Sequence, residues 1–203
     1  MDYLLAVTLG YLLGCSHMAY YISRAKNVDM RRHGSGNLGT SNSVIVLGWP
    51  AAVAVGLHDI GKGLLAVVLA KLLFPQLEQV GALAGVACVV GHVFPFYLGF
   101  RGGKGFAAFM GVTLALNWQL ALLMVVVIAA VTWFTDYLAL GTFATIAIVP
   151  VWLGIQFGSL PLALILLAAS ALILWKHREN IVRIRNKTEI GFRSATKGEH
   201  KVT

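Results

Sequence analysis

The chain has 203 residues, 58% of them hydrophobic and only 12% charged, with a net charge of +8. Soluble domains carry about a quarter charged residues, so this composition leaves too little polar surface for a globule in water. It predicts an all-α, polytopic integral membrane protein built as one helical bundle. The positive charge is a topology signal. No RNA- or DNA-binding motif accompanies it, and no nucleic-acid partner is expected. Cys15 and Cys88 lie inside apolar segments and read as small core residues, with neither a disulfide framework nor metal-ligand spacing around them.

Apolar segments fall at 3–23, 43–57, 60–74, 79–98, 105–116, 119–134, 138–156 and 159–176. The first lacks a basic start and reads as a retained span, not a cleaved signal. Several are shorter than the roughly 20 residues that a full crossing needs, so some are tilted, broken or re-entrant. The stretch 43–57, with Gly48, Trp49 and Pro50, is the candidate that does not cross, which leaves seven transmembrane helices. Basic residues cluster at Arg24–Arg32, at Arg101 and Lys104, and from Lys176 to Lys201, leaving Lys71 near the opposite face. The positive-inside rule then puts the N-terminus outside and the C-terminus in the cytoplasm. Residues 1–187 read as a single transmembrane domain and 188–203 as a polar cytoplasmic tail.

The loop Gly34-Ser35-Gly36-Asn37-Leu38-Gly39-Thr40-Ser41-Asn42 packs three glycines, several hydroxyl and amide side chains and a helix start into nine residues. It offers neutral donors to a phosphate. The alternative is a cytosolic loop with an N-cap at Ser41 or Asn42. Asp59 and Lys62, three residues apart in apolar sequence, can pair as a supporting ion pair beside a polar cavity, or Lys62 can snorkel from a helix end. His92, inside an apolar segment, reads as a supporting residue, and His17 and His58 are left outside the site.

The turn Gly102-Gly103-Lys104-Gly105 has no Walker spacing. Its glycines let backbone N–H groups approach a ligand, and Lys104 precedes a helix N-terminus, where anions are favoured. A tight membrane-surface turn is the plain alternative. Thr142 either lines a site or bonds its own backbone. His177, Asn180 and Arg183 recur every third residue on one helical face, either turned towards the membrane site or forming an ordinary basic juxtamembrane helix.

Taken together, these stretches resemble the acyl-phosphate:glycerol-3-phosphate acyltransferase family (PlsY) of bacterial membranes. The likeness covers nearly the whole chain: Gly10-Tyr11-Leu12-Leu13-Gly14, the loop 34–37, Asp59 to Gly63, Gly-His-x-Phe-Pro at 91–95 with the Gly-Gly-Lys-Gly turn, and His-Arg-x-Asn-Ile-x-Arg…Glu at 177–189. The resemblance implies a seven-helix enzyme of the bacterial inner membrane. It would transfer a fatty acyl group from acyl phosphate to the 1-hydroxyl of sn-glycerol 3-phosphate, releasing lysophosphatidic acid and phosphate. It implies no metal and no cofactor, a cytoplasmic active site, and a monomer in contact with membrane lipid. The resemblance makes Ser35, Asn37, Lys104, His177 and Asn180 the catalytic set. Gly34, Gly36, Gly39, Ser41, Asn42, Gly102, Gly103, Gly105, Thr142 and Arg183 bind substrate, and Asp59, Lys62, His92 and Glu189 support them. No Ser-His-Asp triad is evident, and an activated acyl phosphate does not need one.

The chain departs from the family at Ile45, where an arginine is usual, at Lys187, where a glycine is usual, and at His17, where a proline is common. Ala139-Leu140-Gly141-Thr142 keeps one hydroxyl of a Ser-Leu-x-Ser run. Isoleucine cannot grip phosphate. The alternatives are therefore a weak or non-catalytic homologue that binds acyl phosphate or anionic lipid, or an enzyme for another phosphorylated alcohol. A small transporter is a third class, though no internal repeat supports it. Ile45→Arg should hold or raise glycerol 3-phosphate-dependent turnover if the substrate is unchanged. A collapse in the same assay would show a pocket rebuilt for another ligand.

Overall fold

The computed structural model describes residues 1–197, and these form eleven α-helices, two 3-10 turns and no strand. The end of the expected tail, 198–203 with Lys201, lies outside the described residues. The first span breaks at Ser16-His17 into α1 (Asp2–Cys15) and α2 (Met18–Ala25). A loop then leads into α3 (Thr40–Leu47), and Gly48, at φ +86°, turns the chain directly into α4 (Trp49–Leu73). An L side chain is strained at that angle and glycine is not. Pro50 sits in the first turn of α4, where its missing N–H has no intrahelical acceptor to lose.

This arrangement moves one expected boundary. The chain breaks at Gly48, not at 58–63, and the short element is 40–47, not 43–57. Asp59 and Lys62 satisfy each other at 2.9 Å, so one unbroken helix can carry both through the bundle.

The remaining elements are α5 (Val80–Val93), α6 (Phe106–Leu116), α7 (Trp118–Thr135), α8 (Leu138–Gln156), α9 (Leu160–Lys176), α10 (Arg178–Arg185) and α11 (Phe192–Lys197). Five stretches are long and apolar enough to cross a bilayer: α1 with α2, α4, α5 with the turn after it, α7 and α8. The pair α9 and α10, bent by 47°, makes a sixth, and α6 is a shorter apolar helix. With α6 included, this is the seven-helix membrane architecture that the sequence predicts.

The shortness of α6 positions the site. At 1.5 Å per residue it runs about 16 Å, against about 27 Å for its hairpin partner α7. α6 ends and α7 begins at the turn at Asn117. The N-terminus of α6, with Lys104 just ahead of it, therefore lies part-way down the bundle.

Helices approach closely wherever glycine faces a neighbouring backbone. A Cβ at Gly10 or Gly14 in α1 would overlap the Ala84 or Cys88 carbonyl of α5. One at Gly63 in α4 or Gly111 in α6 would meet the backbone of the other helix in the same way. Lipid is as apolar as the helices, so such close packing, not hydrophobic exclusion, holds these pairs together. The main buried cluster gathers Val89, Phe109, Val112, Leu153, Leu166 and Ile173 from four helices. Gly14→Ala should cost about 1–3 kcal/mol through overpacking. Gly61→Ala meets nothing within 4 Å and should cost nothing. Thermal unfolding of the two variants in detergent checks the contrast.

Candidate active site

Asn42 shapes the first wall. It is 1% exposed, and its Nδ2 donates to the carbonyls of Asn37 (3.0 Å), His33 (3.2 Å) and Met30 (3.3 Å) while Oδ1 accepts the Ser35 N–H at 2.9 Å. Its polar atoms thus knit the loop, so the expected substrate contact becomes a scaffold role. Gly36, at φ +67° with its N–H on the His33 carbonyl, supplies the turn and does not line the cavity. Gly39, not Ser41 or Asn42, stands at the N-cap of α3, with no side-chain cap bond. The first turn, Thr40 to Asn42, opens on a cavity of about 410 Å³ beside Gly34, Ser35, Asn37 and Gly39. N–H groups at such a start have no intrahelical partner, and the helix dipole favours an anion there.

The second wall is the glycine turn. The Gly102 N–H donates to the Val93 carbonyl at 3.1 Å and the Gly103 N–H to the His92 carbonyl at 3.0 Å. Those two N–H groups close the end of α5 and are already engaged, unlike the open donors the sequence suggests. Gly105, at φ +90°, N-caps α6. Lys104, Gly105, Phe106 and Ala107 line the cavity. A second uncapped helix start therefore opens on the same space.

The third wall comes from the bend between α9 and α10. Lys104 Nζ donates to Asn180 Oδ1 at 2.5 Å, Asn180 Nδ2 donates to Glu189 Oε1 at 2.5 Å, and Arg183 Nε donates to Glu189 Oε2 at 2.6 Å. Glu189 ties the two cations into one rack, and Glu179 Oε2 lies a further 3.7 Å from Arg183 Nη1. Burial, with Arg183 nearby, lowers the Lys104 ammonium to about 8. His177 Nδ1 lies 2.8 Å from the Ile173 carbonyl. Only an N–H can face a carbonyl, so Nε2 of the neutral ring is left as an acceptor. Phe143 stands edge-on to this ring. Thr142 lines the cavity, but its hydroxyl bonds the Leu138 carbonyl at 3.4 Å.

Ser35, Asn37, Lys104, His177 and Asn180 meet at one cavity, as do Gly34, Gly39, Ser41, Gly105, Thr142, Arg183 and Glu189. Asp59 and His92 reach its floor, with Lys62 behind them. Sequence reasoning missed the apolar wall of Val44, Ile45, Trp49, Leu138 and Phe192, which no local motif announces. Phe192 reaches that wall because its N–H is held by the Asp136 carbonyl at 2.8 Å.

A family model described as glycerol-3-phosphate acyltransferase matches residues 4–187. A glycerol-3-phosphate acyltransferase of Halalkalibacterium halodurans is 42% identical over 192 residues, covering 91% of this chain and 93% of the relative. Glycerol-3-phosphate acyltransferase 1 of Deinococcus radiodurans is 40% identical over 195 residues, covering 92% and 93%. The crystal structure of PlsY, an integral membrane glycerol 3-phosphate acyltransferase, in its glycerol 3-phosphate form superposes with a TM-score of 0.89 at 31% identity, covering 96% of this chain and 97% of that one. Its lysophosphatidic acid form gives a TM-score of 0.86 at 30% identity, covering 96% and 98%.

The lowered Lys104 value sets a pH dependence. Lys104 is charged below about 8 and loses its proton as pH rises through that value, well before an ordinary lysine at 10.5. Sulfate, which does not titrate in this range, should bind roughly tenfold more weakly at about pH 9 than at about pH 7. Lys104→Arg should flatten the curve, because a guanidinium stays charged. Titration calorimetry of the purified protein reads both.

Proposed function

The chain belongs to the glycerol-3-phosphate acyltransferase family, and from that premise we propose that its acyl donor is acyl phosphate and that Lys104 holds the acceptor's phosphate. It is an integral membrane acyltransferase of phospholipid biosynthesis. The acyl group goes to the 1-hydroxyl of sn-glycerol 3-phosphate, giving lysophosphatidic acid and phosphate. One observation carries the site assignment: two helix starts and a lysine converge on one cavity, enough donors for two phosphates side by side.

In this reading the donor's phosphate rests on the open end of α3, with Ser35 and Asn37 beside it. The acceptor's phosphate lies against Lys104, the start of α6 and Arg183. Cationic and backbone donors then screen the repulsion between two dianions and bring the hydroxyl to the carbonyl carbon. The oxygen of the 1-hydroxyl bonds to that carbon, the bond from carbon to the phosphate oxygen breaks, and the hydroxyl proton passes to the departing phosphate. His177 Nε2, the acceptor left free on this wall, is the rival destination for that proton. If His177 is instead the base, His177→Ala lowers turnover steeply with substrate affinity unchanged.

We place the chain in the bacterial inner membrane as a monomer, N-terminus outside and active site cytoplasmic, with 1–187 as the catalytic domain. The three basic clusters support that orientation. The apolar wall at Ile45 favours one second reading, a weak or non-catalytic binder of acyl phosphate. Phosphate release from palmitoyl phosphate, with and without glycerol 3-phosphate, separates the two. Acceptor-dependent release supports the enzyme, and binding without release supports the binder. Lys104→Ala should lower kcat/KM for glycerol 3-phosphate by roughly 10- to 150-fold, the range for a lost charged hydrogen bond.

A further inference from the structure

Beneath the glycine turn lies a polar cluster that the reaction as described does not use. Asp59 in α4 is 1% exposed, His92 at the end of α5 is 2% exposed, and His17 at the break between α1 and α2 is 1% exposed. Lys62 neutralises Asp59 at 2.9 Å and donates to the Ser16 carbonyl at 2.7 Å. His92 Nδ1 faces Asp59 Oδ1 at 3.5 Å, too far for a hydrogen bond, and has no other partner among the described residues. A buried ring nitrogen left in that state, shared among the described residues only with Thr132 Oγ1, calls for a physical account.

The other side of His92 bears on the site. Its ring occupies the space that a Cβ on Gly103 would need. Its carbonyl accepts the Gly103 N–H at 3.0 Å and lies 2.9 Å from His17 Nε2. The His17 ring stacks on the His92 ring at 4.9 Å, and His17 Nδ1 lies 2.6 Å from the Cys15 carbonyl. The residue directly before Lys104 is thus gripped through ring and carbonyl by a single histidine. That histidine is wedged between Asp59 on one helix and His17 on another.

We infer that Asp59 and His17 are positioning residues for Lys104, acting through His92 to set the height and direction of the glycine turn against the acceptor's phosphate. This deepens the function proposed above and rests on it. The Asp59 carboxylate stands against the imidazole edge from α4 as a charged neighbour, and His17 Nε2 lies on the carbonyl from the first span. A tilt of the His92 ring therefore moves the Gly103 backbone, and Lys104 with it. The donor's phosphate, on the separate start of α3, is untouched by this linkage. The charge of Asp59 is not itself used on the ligand, since Lys62 cancels it within the protein.

A merely structural ion pair makes a different prediction from a positioning one, because removing both charges of a buried pair restores packing without restoring its geometry. Asp59→Asn, Asp59→Asn with Lys62→Met, and His17→Gln should each raise the KM for glycerol 3-phosphate about tenfold or more. The KM for palmitoyl phosphate should stay within about twofold of the wild type. The double variant should regain the melting temperature that Asp59→Asn loses, yet keep the raised acceptor KM. If the double variant regains the wild-type acceptor KM along with its stability, or if both KM values rise together in every variant, the inference is overturned. Wild-type phosphate release that ignores glycerol 3-phosphate would instead overturn the underlying functional reading.

Discussion

The proposed reaction requires two dianionic head groups to be taken out of water and set side by side inside a bundle whose outer surface faces lipid. That is the constraint on which the rest of this structure depends. Cations alone answer it poorly, because each buried ammonium or guanidinium carries its own desolvation cost. Helix starts answer it better. Their N–H groups are unpaired by geometry, carry partial positive charge and need no proton. The protein therefore stops two helices short, α3 after eight residues and α6 after eleven, and points their open ends into one cavity. Lys104 adds a single partly buried charge between them.

The remaining charges are arranged so that little is left unbalanced. Asp59 and Lys62 cancel inside α4, which is why that helix runs unbroken where the sequence suggests a polar interruption. Glu189 is shared between Asn180 and Arg183, and through Asn180 it reaches Lys104. Ile45 lies on an apolar wall with Trp49 and Phe192, so that side of the cavity offers no cation.

Much of this was legible along the chain. The outer bounds of the long helices from α5 onwards follow the apolar runs, because a segment in lipid must bond its backbone within itself. Ser35, Lys104, His177 and Asn180 stood out as polar groups in glycine-rich or amphipathic settings. The roles of the glycines were less legible. Gly102 and Gly103 look like ligand donors in sequence, yet their N–H groups end on the carbonyls of α5. Gly10, Gly14 and Gly111 look like ordinary membrane glycines, yet each marks a contact between two backbones. His17, left outside the site in sequence, lies beneath the glycine turn with Nε2 2.9 Å from the His92 carbonyl.

The sequence by itself determined that the chain crosses a membrane, that its cytoplasmic-type turns carry glycine, hydroxyl and basic residues suited to phosphate, and that its motifs match one acyltransferase family. Those properties are local or additive: hydropathy, turn chemistry and charge count can be read one segment at a time. Only the tertiary structure decided which donors remain free, that the starts of α3 and α6 share one cavity, and that His92 stands between Asp59, His17 and Gly103. A hydrogen bond between residues many positions apart is settled by how helices pack. An N–H group cannot serve a ligand once a neighbouring carbonyl has claimed it.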